Sequence, residues 1–356
     1  MKDHVSIYLD AIRFVAALTV FISHYSLQHL SAGLLWQVQP YADEAVIVFF
    51  VLSGFVIAHA THGRQTAAAD YCISRAARIY SVVLPALALT AVLDLVGNRL
   101  FPTHYSAGTW GFNGDLSLWR LFSGLSFTNE FWGLHVRQGS NVPFWSLGYE
   151  VPYYLIFGLA IFATGPWRIA AVSLALLAVG PSILLLLPIW LAGVAAYHCC
   201  KRELVGQRAG LMLLCASVGA WLTYEAIAWK FGRPSNSLTF LVKRPTLAQD
   251  YFVAAVFVVH LVGFNAAARR MTPLLSRIAV PVRWLAGASF SLYLLHYPIV
   301  TFLFACMPWP GDDSRSRVIG LAGTMALVFL VASFTERQKN AWRGCVAAIW
   351  RTFAHR

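Results

Sequence analysis

The chain alternates long apolar runs with short polar breaks. A helix needs about 17–25 apolar residues to cross a hydrocarbon layer of about 30 Å. Runs near that length fall at about 5–29, 43–62, 79–98, 143–164, 168–181, 183–200, 209–229, 247–267, 284–305 and 317–335. The pattern predicts an all-α polytopic transmembrane helix bundle of about ten spans. The fifth and sixth runs are short and broken around Gly180, Pro181 and Pro188. They read either as one kinked element or as two spans, and two spans fit the loop lengths better. Asp10 and Arg13 interrupt the first run, which therefore reads as a retained helix and not as a cleaved signal peptide.

One long loop, at about 99–142, separates the third and fourth runs and is rich in Trp, Tyr, Gly and Asn. Its segment Asp115 to Phe127 has the pattern of an amphipathic helix lying on the membrane surface. Trp110, Trp119 and Trp132 of this loop suit an interfacial aromatic belt.

Composition agrees with the pattern. The 356 residues are 58% hydrophobic and only 12% charged. Soluble globular chains are about 25% charged. Disordered, fibrous and ordinary cytosolic classes are excluded, and the lipid bilayer becomes the first partner. The formal charge is +12. No basic stripe is interleaved with stacking aromatics, so nucleic acid is not an expected partner. The excess reads as orientation signal. With the N-terminus inside, 17 of the 27 Lys and Arg fall in inside segments and nine outside, while Arg13 lies within the first helix. That asymmetry favours N-in and C-in. Residues 341–356 then form a basic cytoplasmic tail after a membrane domain of residues 1–340. The six cysteines contain no CxxC and no regular spacing, so neither a disulfide framework nor a metal site is expected.

Ionisable groups at membrane depth are costly, and each is a functional candidate. The first helix carries Asp10, Arg13 and His24. Arg13 and His24 are eleven residues apart, which returns them to within about 20° of one face and separates them by about 16 Å along the axis. Asp10 stands three residues before Arg13, within pairing distance. The fourth run opens Trp145-Ser146-Leu147-Gly148-Tyr149-Glu150. Glu150 sits about 10 Å below the expected outer end of its helix, a depth comparable to that of His24. The two can meet as a base and its orienting carboxylate; the alternative is that Glu150 satisfies a helix-start amide or an indole. Ser53-Gly54 reads as a close helix contact. Arg75 and Arg78 share a face and form either a phosphate fork or a positive-inside anchor. His296 lies mid-run, either lining a site or bonded to a carbonyl freed near Pro298.

Arg13 and His24 within RFVAALTVFISHY resemble the opening helix of the membrane-bound acyltransferase family 3. FFVLSGF at 49–55, RAARIY at 75–80, WSLGYE at 145–150 and SFSLYLLHYP at 289–298 resemble its later signatures, in the same order. Together they cover about residues 5–305. The chain departs from the family at Ile47 and Val151, where an acid is common, and at Ser81, where Pro is common.

The resemblance implies a bacterial inner-membrane, multi-pass O-acyltransferase. It would move an acyl group, in the first instance acetyl, from cytoplasmic acyl-CoA to a hydroxyl of an extracytoplasmic carbohydrate of O-antigen, exopolysaccharide or related type. His24 and Glu150 match its catalytic positions. Arg13, Arg75 and Arg78 match those that hold acyl-CoA (acetyl-CoA). Ser146, Trp145 and His296 are substrate-site candidates, and no metal is implied. His24 would act as general base oriented by Glu150, or form an acyl-histidine. The alternative class is a transporter or flippase, which calls for inverted repeats; no second RFVAAL-like or FFVLSG-like segment occurs.

Overall fold

The computed structural model describes residues 3–63, 67–106, 117–233, 244–268 and 272–354. Every regular element among them is a helix. In chain order these are α1 (Asp3–Tyr25), α2 (Gln28–Ser31), α3 (Ala42–Gly63), α4 (Ala68–Leu100), α5 (Pro102–Ser106), α6 (Leu118–Leu125), α7 (Leu147–Phe162) and α8 (Gly165–Val179). They are followed by α9 (Pro181–Lys201), α10 (Gln207–Phe231), α11 (Leu247–Ala267), α12 (Thr272–Ala286), α13 (Ser289–Cys306), α14 (Ser314–Val318), α15 (Thr324–Phe334) and α16 (Lys339–Ala354).

Eight helical stretches among the described residues are long and apolar enough to cross a membrane. The expected fourth and fifth spans are the exceptions: α7 and α8 have only 16 and 15 residues. The reason is local. The chain enters α7 through a 3-10 turn, Val142–Ser146, with Pro143 in its first turn. Gly180, at φ +82°, ends α8, and a Cβ there would lie 2.9 Å from the Trp132 backbone. Pro181 then starts α9, where its missing N–H costs nothing. The run broken at Gly180 is therefore two helices, as the loop lengths suggested, and Pro188 lies inside α9 without ending it.

Glycines set the closest helix contact. A Cβ on Gly54 of α3 would meet the Trp190 carbonyl of α9 at 2.0 Å, and one on Gly193 would meet the Val51 carbonyl at 2.0 Å. Small residues let the two backbones approach, the contact that Ser53-Gly54 predicts. At the centre, α13 packs against α1, α4 and α15 and is buried almost continuously from Ser289 to Thr301. Over that stretch it has no polar outer face, because no side of it faces solvent or lipid, and its polar side chains point into the protein.

The periphery is different in kind. Leu118, Trp119, Leu121 and Phe122 of α6 are all exposed, giving the amphipathic surface helix expected within Asp115–Phe127. Asp115 and Trp110 lie outside the described residues. The expected basic tail forms α16, which packs on α4 and brings Arg343 to 3.9 Å from Asp70.

Candidate active site

The helical repeat brings Arg13 and His24 onto one side of α1, and the neighbouring helices give them different surroundings. Toward the N-terminal side, α1, α3, α4, α7 and α13 enclose a narrow cavity of about 60 Å³. Arg13, Arg75, Arg78, Ser146, Glu150, Tyr154 and Tyr293 line it. The three arginines expected to act together therefore do converge. Arg13 is paired with Asp10 at 3.0 Å. The Arg75 Nε–H is buried and has no partner among the described residues. Glu150 faces the same cavity and is the one carboxylate among its described lining residues, against three guanidinium groups. An anion with several oxygens suits such a group of guanidinium forks.

Glu150 ends a directed chain of donors. The Trp190 indole donates to Ser53 Oγ at 3.1 Å, Ser53 donates to the Tyr154 hydroxyl at 3.0 Å, and Tyr154 donates to Glu150. Tyr154 is four residues after Glu150, a spacing that puts both on one face of α7. Above them the Tyr293 hydroxyl shares its one proton between Ser146 Oγ at 2.8 Å and the Pro143 carbonyl at 3.1 Å.

His24 is held elsewhere. Its Nδ1 lies 2.8 Å from Nε2 of His296, whose own Nδ1 lies 2.8 Å from the Leu292 carbonyl. A carbonyl only accepts, so Nδ1 of His296 carries a proton. In a neutral imidazole Nε2 is then the acceptor, and His24 must donate to it from Nδ1. Nε2 of His24 is left with a free lone pair. His296 is fully buried, whereas His24 is only partly so, and the Tyr297 ring meets His24 edge-on at 5.2 Å. His296 is thus brought to the site, and the carbonyl it binds is not the one freed by Pro298.

The expected His24–Glu150 pair does not form. Helix α1 ends at Tyr25, which puts His24 at its far end. Helix α7 begins only at Leu147, after the 3-10 turn. Ser146 is level with Tyr293, one turn of α13 short of His296, and Glu150 lies another turn farther along α7. At 1.5 Å per residue, Glu150 is about 10 Å nearer the N-terminal side than His24. Trp145 is also displaced. It packs under the Arg244 guanidinium at 5.0 Å and against Tyr149, and does not line the arginine cavity.

The sequence reading missed four side chains that shape the site. Tyr154 was signalled by its spacing from Glu150; Ser53 and Tyr293 lie within the FFVLSGF and SFSLYLLHYP segments, which marked the stretches but not these side chains as site groups. Glu336 carried none. It accepts from the backbone N–H of Ser291 at 2.8 Å, its hydroxyl at 2.9 Å and the N–H of Phe290 at 3.3 Å. It thereby satisfies the start of α13 from 45 residues away in sequence. No group of three or more metal-binding side chains occurs among the described residues.

The chain matches the model of an acyltransferase domain over residues 6–336. It is similar to an O-acetyl transferase of Shigella phage Sf6, 28% identical over 162 residues, covering 44% of this chain and 46% of that one. The peptidoglycan O-acetyltransferase OatA of Listeria monocytogenes is 20% identical over 366 aligned residues, 92% of this chain and 54% of the relative. The acyltransferase MdmB of Streptomyces mycarofaciens is 31% identical over 157 residues, 42% and 38% of the two chains. The chain thus spans about half or less of the length of these curated relatives. No solved structure matches. With five ordered motifs, an arginine cavity aligned below a paired histidine, and a family match across nearly the whole chain, this protein belongs to the membrane-bound acyltransferase family 3.

Proposed function

We propose that this chain is a membrane O-acyltransferase of the bacterial cytoplasmic membrane, moving an acetyl group from cytoplasmic acetyl-CoA to a hydroxyl of an extracytoplasmic carbohydrate. One observation carries the reading. Three arginines open to one cavity about 16 Å along α1 from a histidine whose Nε2 is free to take a proton. Two of the relatives bear O-acetyltransferase names, which supports acetyl as the group moved.

In this reading Arg75 and Arg78, with Arg13, bind the phosphates of acyl-CoA, and the unpartnered Arg75 Nε–H supplies one bond. The thioester arm follows α1 and α13 toward His24. Nε2 of His24 takes the acceptor hydroxyl proton while that oxygen attacks the thioester carbonyl. The C–S bond breaks, and the CoA sulfur takes the proton back from His24. His296, accepting from Nδ1 of His24, holds the required tautomer and steadies the imidazolium. Glu150 belongs to the acyl-CoA end of the path.

The test uses inverted membrane vesicles given radiolabelled acetyl-CoA, read as alkali-labile acetate on the enclosed glycans. His24→Ala lowers transfer by about 10²–10⁴-fold. Wild-type transfer by His24→Ala at equal expression overturns the assignment. Mass spectrometry of surface glycans with and without the gene identifies the acceptor through a difference of one acetyl unit.

A further inference from the structure

A second and larger cavity lies on another side of α1. It is a groove of about 620 Å³ between α1 and α10, backed by α3 and α11. Ile12, Val15, Ala16 and Thr19 form its α1 wall, about 130° around that helix from His24. Val15 and Val218, at its lips, are 55% and 44% exposed. In a membrane-spanning bundle such an opening faces hydrocarbon, so its occupant is hydrocarbon.

The two ends differ. At one end His260 closes the groove, with its ring nitrogens bonded to Tyr8 and, at 3.1 Å, to Ser217. At the other, Glu44 accepts from Arg233 at 2.6 Å, Gln249 at 2.9 Å and Trp221 at 3.2 Å. Glu225 accepts from Arg233 at 2.8 Å and from Tyr41 at 2.9 Å. Gln249 and His260 are eleven residues apart on α11, about 16 Å. Half of a hydrocarbon core is about 15 Å. The groove is one leaflet deep. Positive-inside counting assigns its Glu44 end to the outer surface. Two carboxylates around one guanidinium leave a net negative charge there. Two atoms there are buried without a partner among the described residues: Gln249 Oε1, which accepts from a ligand hydroxyl, and the Tyr224 hydroxyl, which can accept from or donate to one.

We propose that this groove binds one hydrocarbon chain of an outer-leaflet lipid whose headgroup is uncharged and rich in hydroxyls. Those hydroxyls donate at the Glu44–Arg233–Glu225 cluster, where a phosphate is repelled. The proposal rests on the membrane-spanning fold alone and not on acyl transfer, so its test reads binding. The full chain is placed in phosphatidylcholine nanodiscs with a diazirine-tailed glucosyl diacylglycerol or with phosphatidylglycerol bearing the same tail. Crosslinked peptides are mapped by mass spectrometry. The glucosyl probe labels the peptides holding residues 12–19, 217–221 and 253–260 above the exposed face of α8 at Leu174 and Leu177. Val218→Trp fills the groove from its lip and lowers that labelling about tenfold, equivalent to about 1.4 kcal/mol of binding. Groove labelling at the α8 level, or unmoved by Val218→Trp, overturns the site. Equal groove labelling by phosphatidylglycerol overturns the headgroup assignment.

Discussion

Replacing His296 by leucine isolates what the histidine pair contributes to transfer. The substitution removes the acceptor of the 2.8 Å bond from His24 Nδ1 and leaves untouched the cavity's arginines, about 16 Å along α1 from His24. In the ground state the lost bond joins two neutral rings and is worth about 1 kcal/mol. As His24 takes a proton on Nε2, its Nδ1–H becomes a charged donor, and such bonds are worth about 1.5–3 kcal/mol. Because that bond strengthens in the transition state by about 0.5–2 kcal/mol, its loss falls on kcat, by about 2- to 30-fold. KM for acetyl-CoA stays near its wild-type value, because the groups that bind the phosphates are untouched. His296→Gln keeps an accepting oxygen within reach of Nδ1 and recovers most of that loss in kcat. The vesicle assay, run as a function of acetyl-CoA concentration, separates the two constants, and thermal unfolding of each purified variant verifies its fold. The reasoning fails if His296→Leu keeps wild-type kcat, if KM for acetyl-CoA rises in step with the fall in kcat, or if glutamine does no better than leucine.

Other outcomes follow from the same geometry. Arg75→Ala and Arg78→Ala each raise KM for acetyl-CoA about 10- to 100-fold, the loss of one charge-assisted contact, and weaken the thermal shift on adding acetyl-CoA; an unchanged KM refutes their role. Glu150→Gln lowers kcat less than His296→Leu does and moves KM for acetyl-CoA, because its carboxylate faces the arginines; a pure kcat loss equal to that of His24→Ala would restore the His24–Glu150 pairing. Gly193→Ala sets a methyl against the Val51 carbonyl and destabilises the α3–α9 contact by about 1–3 kcal/mol, read as a lower unfolding midpoint. An unshifted midpoint shows that the two helices part freely.

The surroundings of Glu150 show where sequence reading loses its grip. Its expected depth assumed that the run opening at 143 is helical from the membrane surface inward. Instead, residues 129–146 fold as turns, exposed at Trp132, Leu134, His135 and Arg137 but packed inside the protein from Gln138 to Ser146. Asn129, Glu130, Gln138, Ser140 and Asn141 are all buried there. Irregular backbone is tolerated at depth only where protein satisfies its polar groups. Asp94 accepts from the Ser140 N–H at 2.7 Å, and Tyr293 donates to the Pro143 carbonyl. Those partners lie 46 and 150 residues away, so no local pattern announces them. Trp145 moved for the same reason, drawn to Arg244 beyond the reach of any window.

The sequence by itself determined what depends on composition and on the helical repeat. Scarce charge and ten apolar runs called for a membrane bundle, and eleven residues of regular helix put Arg13 and His24 on one side of α1. Arg75 and Arg78 shared a face for the same local reason. Only the tertiary structure decided which groups meet. Contacts between helices depend on where each helix starts and how deeply it is set, and those are fixed by packing and by distant hydrogen-bond partners. That is why His24 is oriented by His296, which lies 272 residues away, and Glu150 faces the arginines.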